Sequence, residues 1–127
     1  FDPADPKSHR RSVYRFIVRS QPDPFMTTLD CADSSQSTPK RDETLTALQA
    51  LSLLNNKFTL HMANRFASRI EKESKTLRGR IRRAHQLTTG RPPSPEEMVA
   101  LESYAQQHGL PNLCRVLFNL SEFTYLD

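Results

Sequence analysis

Nine prolines punctuate this 127-residue chain, yet none lies between residues 40 and 91. An interior proline costs a helix ~3 kcal/mol or more, because it removes a hydrogen bond and clashes with the preceding turn. The proline-free stretch is therefore where long helices belong. Glycine is scarce as well. The three glycines, Gly79, Gly90 and Gly109, supply interruptions or helix ends, and too few tight turns for a meandering β architecture.

Apolar spacing fills in the elements. Residues 43–55 carry Leu45, Leu48, Ala50, Leu51, Leu53 and Leu54, densely enough for a buried helix, with Asp42 or Thr44 as cap. Residues 57–75 place Phe58, Met62, Phe66 and Ile70 four apart, one stripe of an amphipathic helix. Residues 76–89 repeat the pattern with Leu77, Ile81, Ala84 and Leu87. Gly90 to Pro93 then stops the helix. Ser94-Pro95-Glu96-Glu97 is the clearest local signal: Ser94 caps, Pro95 takes the first helical position and Glu97 closes a capping box. That helix runs to His108 with Met98, Leu101, Tyr104 and Ala105 inward. Pro111 starts a last helix whose stripe is Leu113, Val116, Leu117 and Leu120.

The N-terminal third is less regular. Residues 1–9 read as an extended lead-in. Residues 10–20 satisfy a helical stripe and, in part, a strand alternation, with helix favoured. Residues 21–42, with three prolines and many Ser, Thr and Asp, read as a long ordered loop. The expectation is one all-α domain over residues 1–127, a small bundle of five or six helices with that loop near the N-terminus; because the first residue is Phe1 and not Met, the chain reads as a fragment, a processed product or a trimmed piece.

The chemistry the sequence excludes is as informative. It contains no Gly-x-Ser-x-Gly elbow, no phosphate-binding glycine loop, and no Cys-x-x-Cys or Cys-x-x-Cys-His. A zinc pair and a covalent haem site are thus not encoded. The histidines, His9, His61, His85 and His108, have no i, i+4 partner to ligate a metal, and each reads as a surface or helix-end residue. Cys31 and Cys114 fit a disulfide in an exported protein and two buried thiols in a cytosolic one. No stretch approaches the ~20 apolar residues of a membrane span.

Charge is concentrated. Residues 65–91 hold nine Lys or Arg against two Glu, although the whole chain is only +4. Arg65, Arg69 and Lys72 share one helix flank, and Arg78, Arg82 and His85 share the next. This stripe suits an anion or an acidic partner, or simply a solvated face. No aromatic residue occurs from 67 to 103, so base-stacking platforms are missing and nucleic acid is disfavoured. A second polar group, Arg10, Arg11, Arg15 and Arg19 followed by Asp23, Asp30, Asp33 and Arg41, can pin the loop through bidentate arginine–carboxylate bonds or line a pocket.

Arg10-Arg11-Ser12-Val13-Tyr14, Pro22-Asp23-Pro24, Leu29-Asp30-Cys31-Ala32-Asp33, Arg41, Leu48-Gln49-Ala50-Leu51 and Leu54-Asn55 occur in a recognisable order, continued by Gly90-Arg91 with Pro93, Pro95, Glu96 and Glu97, and by Phe118 to Tyr125. Through these residues the chain resembles the C-terminal domain of unknown function in large planctomycete proteins that usually carry a cytochrome-c-like domain upstream. Ala47 departs from the pattern, which has proline there, and Cys31 stands where a small or apolar residue is usual. The resemblance implies an exported or periplasmic multidomain protein, with haem in a separate domain and no cofactor in this one. Its partners would be other domains of the same polypeptide and, since some relatives carry lectin-like domains, polysaccharide. Carried onto this chain, the polar motif residues are Arg11, Asp30, Asp33, Arg41, Gln49, Asn55, Asn119 and Glu122. They form either a structural network or a ligand pocket. The functional expectation is a non-catalytic accessory or interaction domain. The alternatives are a carboxylate-based glycan-active or glycan-binding site using Asp30, Asp33 or Glu122, and anion or nucleic-acid binding through the 65–91 basic stripe along Arg65, Arg69, Lys72, Arg78 and Arg82.

Overall fold

The architecture was obtained as a computed structural model, which describes residues 2–9, 11, 24–29 and 47–124. Every regular element among these residues is helical: a short 3-10 turn at Pro6–Ser8, then α1 (Pro24–Thr28), α2 (Ala47–Asn55), α3 (Lys57–Glu73), α4 (Leu77–Thr89), α5 (Pro95–His108), α6 (Leu110–Phe118) and α7 (Ser121–Thr124). Two compact units result, Phe1–Asn56 and Lys57–Asp127. The all-α fold class matches the expectation. The ambiguous segment 10–20 lies outside the described residues apart from Arg11, as does most of 21–42.

Within the first unit, two details correct the sequence reading. The lead-in is not wholly extended: Asp5 accepts from the Lys7 amide and Pro6 opens a 3-10 turn. The 21–42 segment is not all loop either, because Pro24–Thr28 is helical. Proline at the first helical position has the right φ built in, and the Thr28 hydroxyl donates back to the Pro24 carbonyl at 2.8 Å. Helix α1 packs on α2.

The second unit holds the apolar core. Ala63, Ala67 and Ile70 of α3, Ile81 and Ala84 of α4, Met98 and Ala105 of α5, and Leu110, Leu113, Cys114 and Leu117 of α6 form one cluster. The closest pairing is α3 with α6. Its cause is a stripe set one residue on from the one expected. Thr59, Ala63, Ala67 and Ile70 are the buried face of α3, while Phe58, Met62 and Phe66 are only half-buried. The two alanines let the helix backbones approach closely, and Phe66 flanks that contact, stacked on Phe118 at 5.5 Å. Cys114 is a free thiol with no exposure, and burial pushes its pKa up to about 12. Cys31 lies outside the described residues.

Caps set the helix boundaries. Thr76 caps α4 by accepting from the Gly79 amide, and Arg80 reaches back to the Ser74 carbonyl at 2.9 Å to close the α3–α4 turn. The capping box of α5 is formed as the sequence requires, with Ser94 accepting from the Glu97 amide and Glu97 accepting from the Ser94 amide. Gly90 (φ 80°, ψ 0°) ends α4 in the left-handed conformation. Gly109 (φ 88°, ψ 163°) separates α5 from α6 in a region essentially closed to other residues.

Candidate functional site

The polar groups that the fold gathers most tightly lie where α4 ends, α5 begins and α7 returns. Helix α4 delivers His85 and Thr89 to its C-terminal end. Gly90 reverses the chain and sets Arg91 beside the α5 N-terminus, where Ser94 and Glu97 already face each other across the capping box. Helix α7, which packs against α4 and α6, brings in Glu122.

Arg91 is the hub. Its Nη1 and Nη2 donate to Glu97 Oε2 and Oε1, both at 3.0 Å. Its Nε and Nη2 donate to Glu122 Oε2 and Oε1 at 3.0 and 2.7 Å. One guanidinium therefore takes two carboxylates in fork geometry, the strongest arrangement available to exposed ions. Glu97 also accepts from the Ser94 amide at 3.0 Å. These donors hold the Glu97 carboxyl down to about 2, with Arg91 the larger cause and Ser94 the next. Arg91 likewise lowers Glu122, and the two carboxylates hold the guanidinium pKa above its ordinary value.

His85 lies beneath this pair at 2% exposure. The Arg91 carbonyl oxygen, 2.9 Å from Nδ1, can only accept, so that nitrogen carries a hydrogen. The other nitrogen faces Glu97 Oε2 at 3.5 Å. Thr89 donates to the His85 carbonyl at 2.8 Å, with its oxygen 3.1 Å from Nδ1. The expectation of a surface histidine in the basic stripe is corrected. His85 turns into the bundle, while Leu87, expected inward, is 37% exposed. Its hydrogen-bond partners on the 89–97 segment make burial of the imidazole tolerable.

The residues singled out from sequence fall as follows. Glu122 joins the Arg91 hub. Asn119 is exposed at the end of α6. Gln49 is buried in α2 and Asn55 is exposed at its last position. Arg11 is exposed, and Asp30, Asp33 and Arg41 lie outside the described residues. Of the basic set, Arg65, Arg69 and Lys72 line an open groove of about 530 Å³ together with Asn64, Ser68 and Glu73. Arg69 and Arg83 each donate to Glu73 at 2.8 Å and lower its pKa, Arg83 more than Arg69. Arg78 stands 3.7 Å from Glu102, and Arg82 is exposed.

Among the described residues no group of three or more His, Cys, Asp or Glu side chains is arranged to hold a metal ion, and no helix is long and apolar enough to cross a membrane. Sequence reasoning assigned Glu97 to the cap, His85 to the basic stripe and Arg91 to the basic run and the Gly90-Arg91 motif, without joining the three. The signal that bears on them is their equal spacing, Arg91 six residues after His85 and six before Glu97, across a glycine that reverses the chain.

No curated protein and no solved structure matches the chain. The match that does occur covers residues 2–105 and so stops short of α6, α7 and Glu122. By that match the chain belongs to the PSD1 family, described as a protein of unknown function (DUF1553).

Proposed function

We propose that this chain is a non-catalytic helical interaction domain of an exported multidomain protein, engaging other domains of its own polypeptide. A haem domain is the first of these, and polysaccharide lies within the same assembly's reach. The observation that carries the reading is the closed Arg91 hub. Acid–base catalysis on a glycan needs one carboxyl that keeps its proton near neutral pH and a second left open to act on the sugar. Glu97 and Glu122 are the reverse of that. Both are held in the charged form and both are occupied by the same guanidinium. Residues so arranged tie α7 to the α4–α5 turn and leave the outer helix faces for partners.

The test has two arms. The chain is incubated with neutral and acidic polysaccharides and assayed for new reducing ends, and no turnover is expected. It is then mixed with the separately purified haem-bearing portion of the same polypeptide, and the two are expected to co-elute on gel filtration. Turnover that disappears in Glu122→Gln, or independent elution of the two pieces, overturns the reading.

A further inference from the structure

The tie between α7 and the α4–α5 turn is made by groups that water reaches. Arg91 is 42% exposed and Glu122 50%, and an ion pair in solvent contributes little net. Arg91 does not depend on Glu122 for its position. Glu97 takes its Nη1 and Nη2, Glu97 is itself held by the Ser94 amide, and the Arg91 carbonyl accepts from His85 Nδ1 at 2.9 Å. All of these partners lie within residues 85–97. The remaining edge of the guanidinium, Nε with Nη2, is a ready-made fork for a planar carboxylate. Glu122 is the carboxylate that fills it, at 3.0 and 2.7 Å.

Glu122 does not come alone. Its neighbour Phe123 stacks on Phe118 with ring centroids 5.3 Å apart, and Phe118 rests on Phe66 at 5.5 Å. Two adjacent residues of α7 thus fill a cationic fork and an aromatic shelf. Phe123 stays largely exposed, so little apolar burial is lost when it leaves. Helix α7 has four residues, far short of the ~12–15 at which a helix begins to hold itself in water, so its place depends on such contacts. An incoming carboxylate would exchange like for like at Arg91, leaving the charge balance of the hub unchanged.

We propose that α7 is the built-in occupant of a ligand site, displaced by a protein partner that offers a glutamate followed by an aromatic residue, the carboxylate taking the Nε and Nη2 edge of Arg91 and the ring taking Phe118. The inference rests on reading the chain as an interaction domain, and names the site and the chemistry of the partner.

The test uses the full chain and a labelled synthetic peptide that repeats residues 119–126, with binding followed by fluorescence anisotropy. Removing the internal competitor with Glu122→Gln and Phe123→Ala is expected to tighten peptide binding about tenfold, with the circular dichroism spectrum unchanged. A peptide carrying Gln in place of its glutamate is expected to bind about tenfold more weakly, and Arg91→Met in the chain should weaken the original peptide similarly. In the parent chain, saturating peptide is expected to speed amide hydrogen exchange over residues 121–124 and leave α4 and α6 protected. Equal binding to the parent and the double variant, indifference to the peptide glutamate or to Arg91→Met, or unchanged exchange over 121–124 overturns the proposal. So does tighter binding of a uronic-acid oligosaccharide than of the peptide, or a dimer of the chain that Glu122→Gln abolishes. Co-elution of the chain with the rest of its polypeptide, undiminished by Arg91→Met, overturns this site while leaving the interaction-domain reading standing.

Discussion

Replacing Ile70 by alanine tests whether the α3–α6 contact carries the stability of the second unit. Ile70 has no exposed surface and closes the small-residue stripe that lets α3 approach α6. Alanine removes three side-chain carbons, and at ~0.8 kcal/mol for each buried carbon the transfer cost is ~2.4 kcal/mol. If the neighbours do not collapse, the cavity is about 80 Å³, which at ~24 cal/mol per Å³ adds ~2 kcal/mol. Better helix propensity returns a few tenths. The expected loss is therefore about 2–4 kcal/mol. With a urea slope of about 2 kcal/mol/M, the denaturation midpoint read by helical circular dichroism falls by about 1–2 M. Val99→Ala, on a side chain 65% exposed, serves as control and should stay within about 0.5 kcal/mol of the parent. An Ile70→Ala midpoint no lower than that of Val99→Ala would refute the packing argument.

Two further outcomes follow from backbone and charge. Gly109→Ala should cost ~1–3 kcal/mol through strain alone, because an added Cβ meets nothing nearer than Pro111 Cδ at 3.8 Å; an unchanged melting temperature would contradict the assigned conformation. Acid should destabilise the fold in a defined window. Glu97 falls from 4.5 to about 2 on folding, and a depressed folded-state pKa gives stability that is present above the unfolded value and lost as pH drops through the folded one. Thermal midpoints should thus decline between pH 4.5 and about 2, and the decline should be smaller in Glu97→Gln; a flat profile would contradict the pairing.

What the sequence discloses about this chain depends on the range of the interaction. Ser94, Pro95 and Glu97 announce the start of α5 because a capping box is made within four residues, and Gly109 announces its end. The face of α3 is harder to read. The larger residues Phe58, Met62 and Phe66 dominate a hydrophobic stripe, yet Ala63 and Ala67 are the more buried, because close helix approach rewards small side chains. His85 is misjudged for a related reason: polarity suggests solvent, whereas partners supplied from beyond Gly90 make burial tolerable. Arg91 with Glu122 is beyond any local rule, since 31 residues separate them and only the return of α7 joins them. Glu122 is legible only through its place in the motif that carries the resemblance, and nothing local marks Arg91, in the same motif, as its partner.

Side chains of reactive type act here as a clamp, and a double-mutant cycle on Arg91 and Glu122 examines that most directly. Urea midpoints are measured for the parent, Arg91→Met, Glu122→Gln and the double variant. A clamp predicts that the double variant loses clearly less stability than the two single losses combined, because either substitution alone already breaks the bidentate pair. Strictly additive losses would mean that the two residues act independently, and the clamp would have to be abandoned.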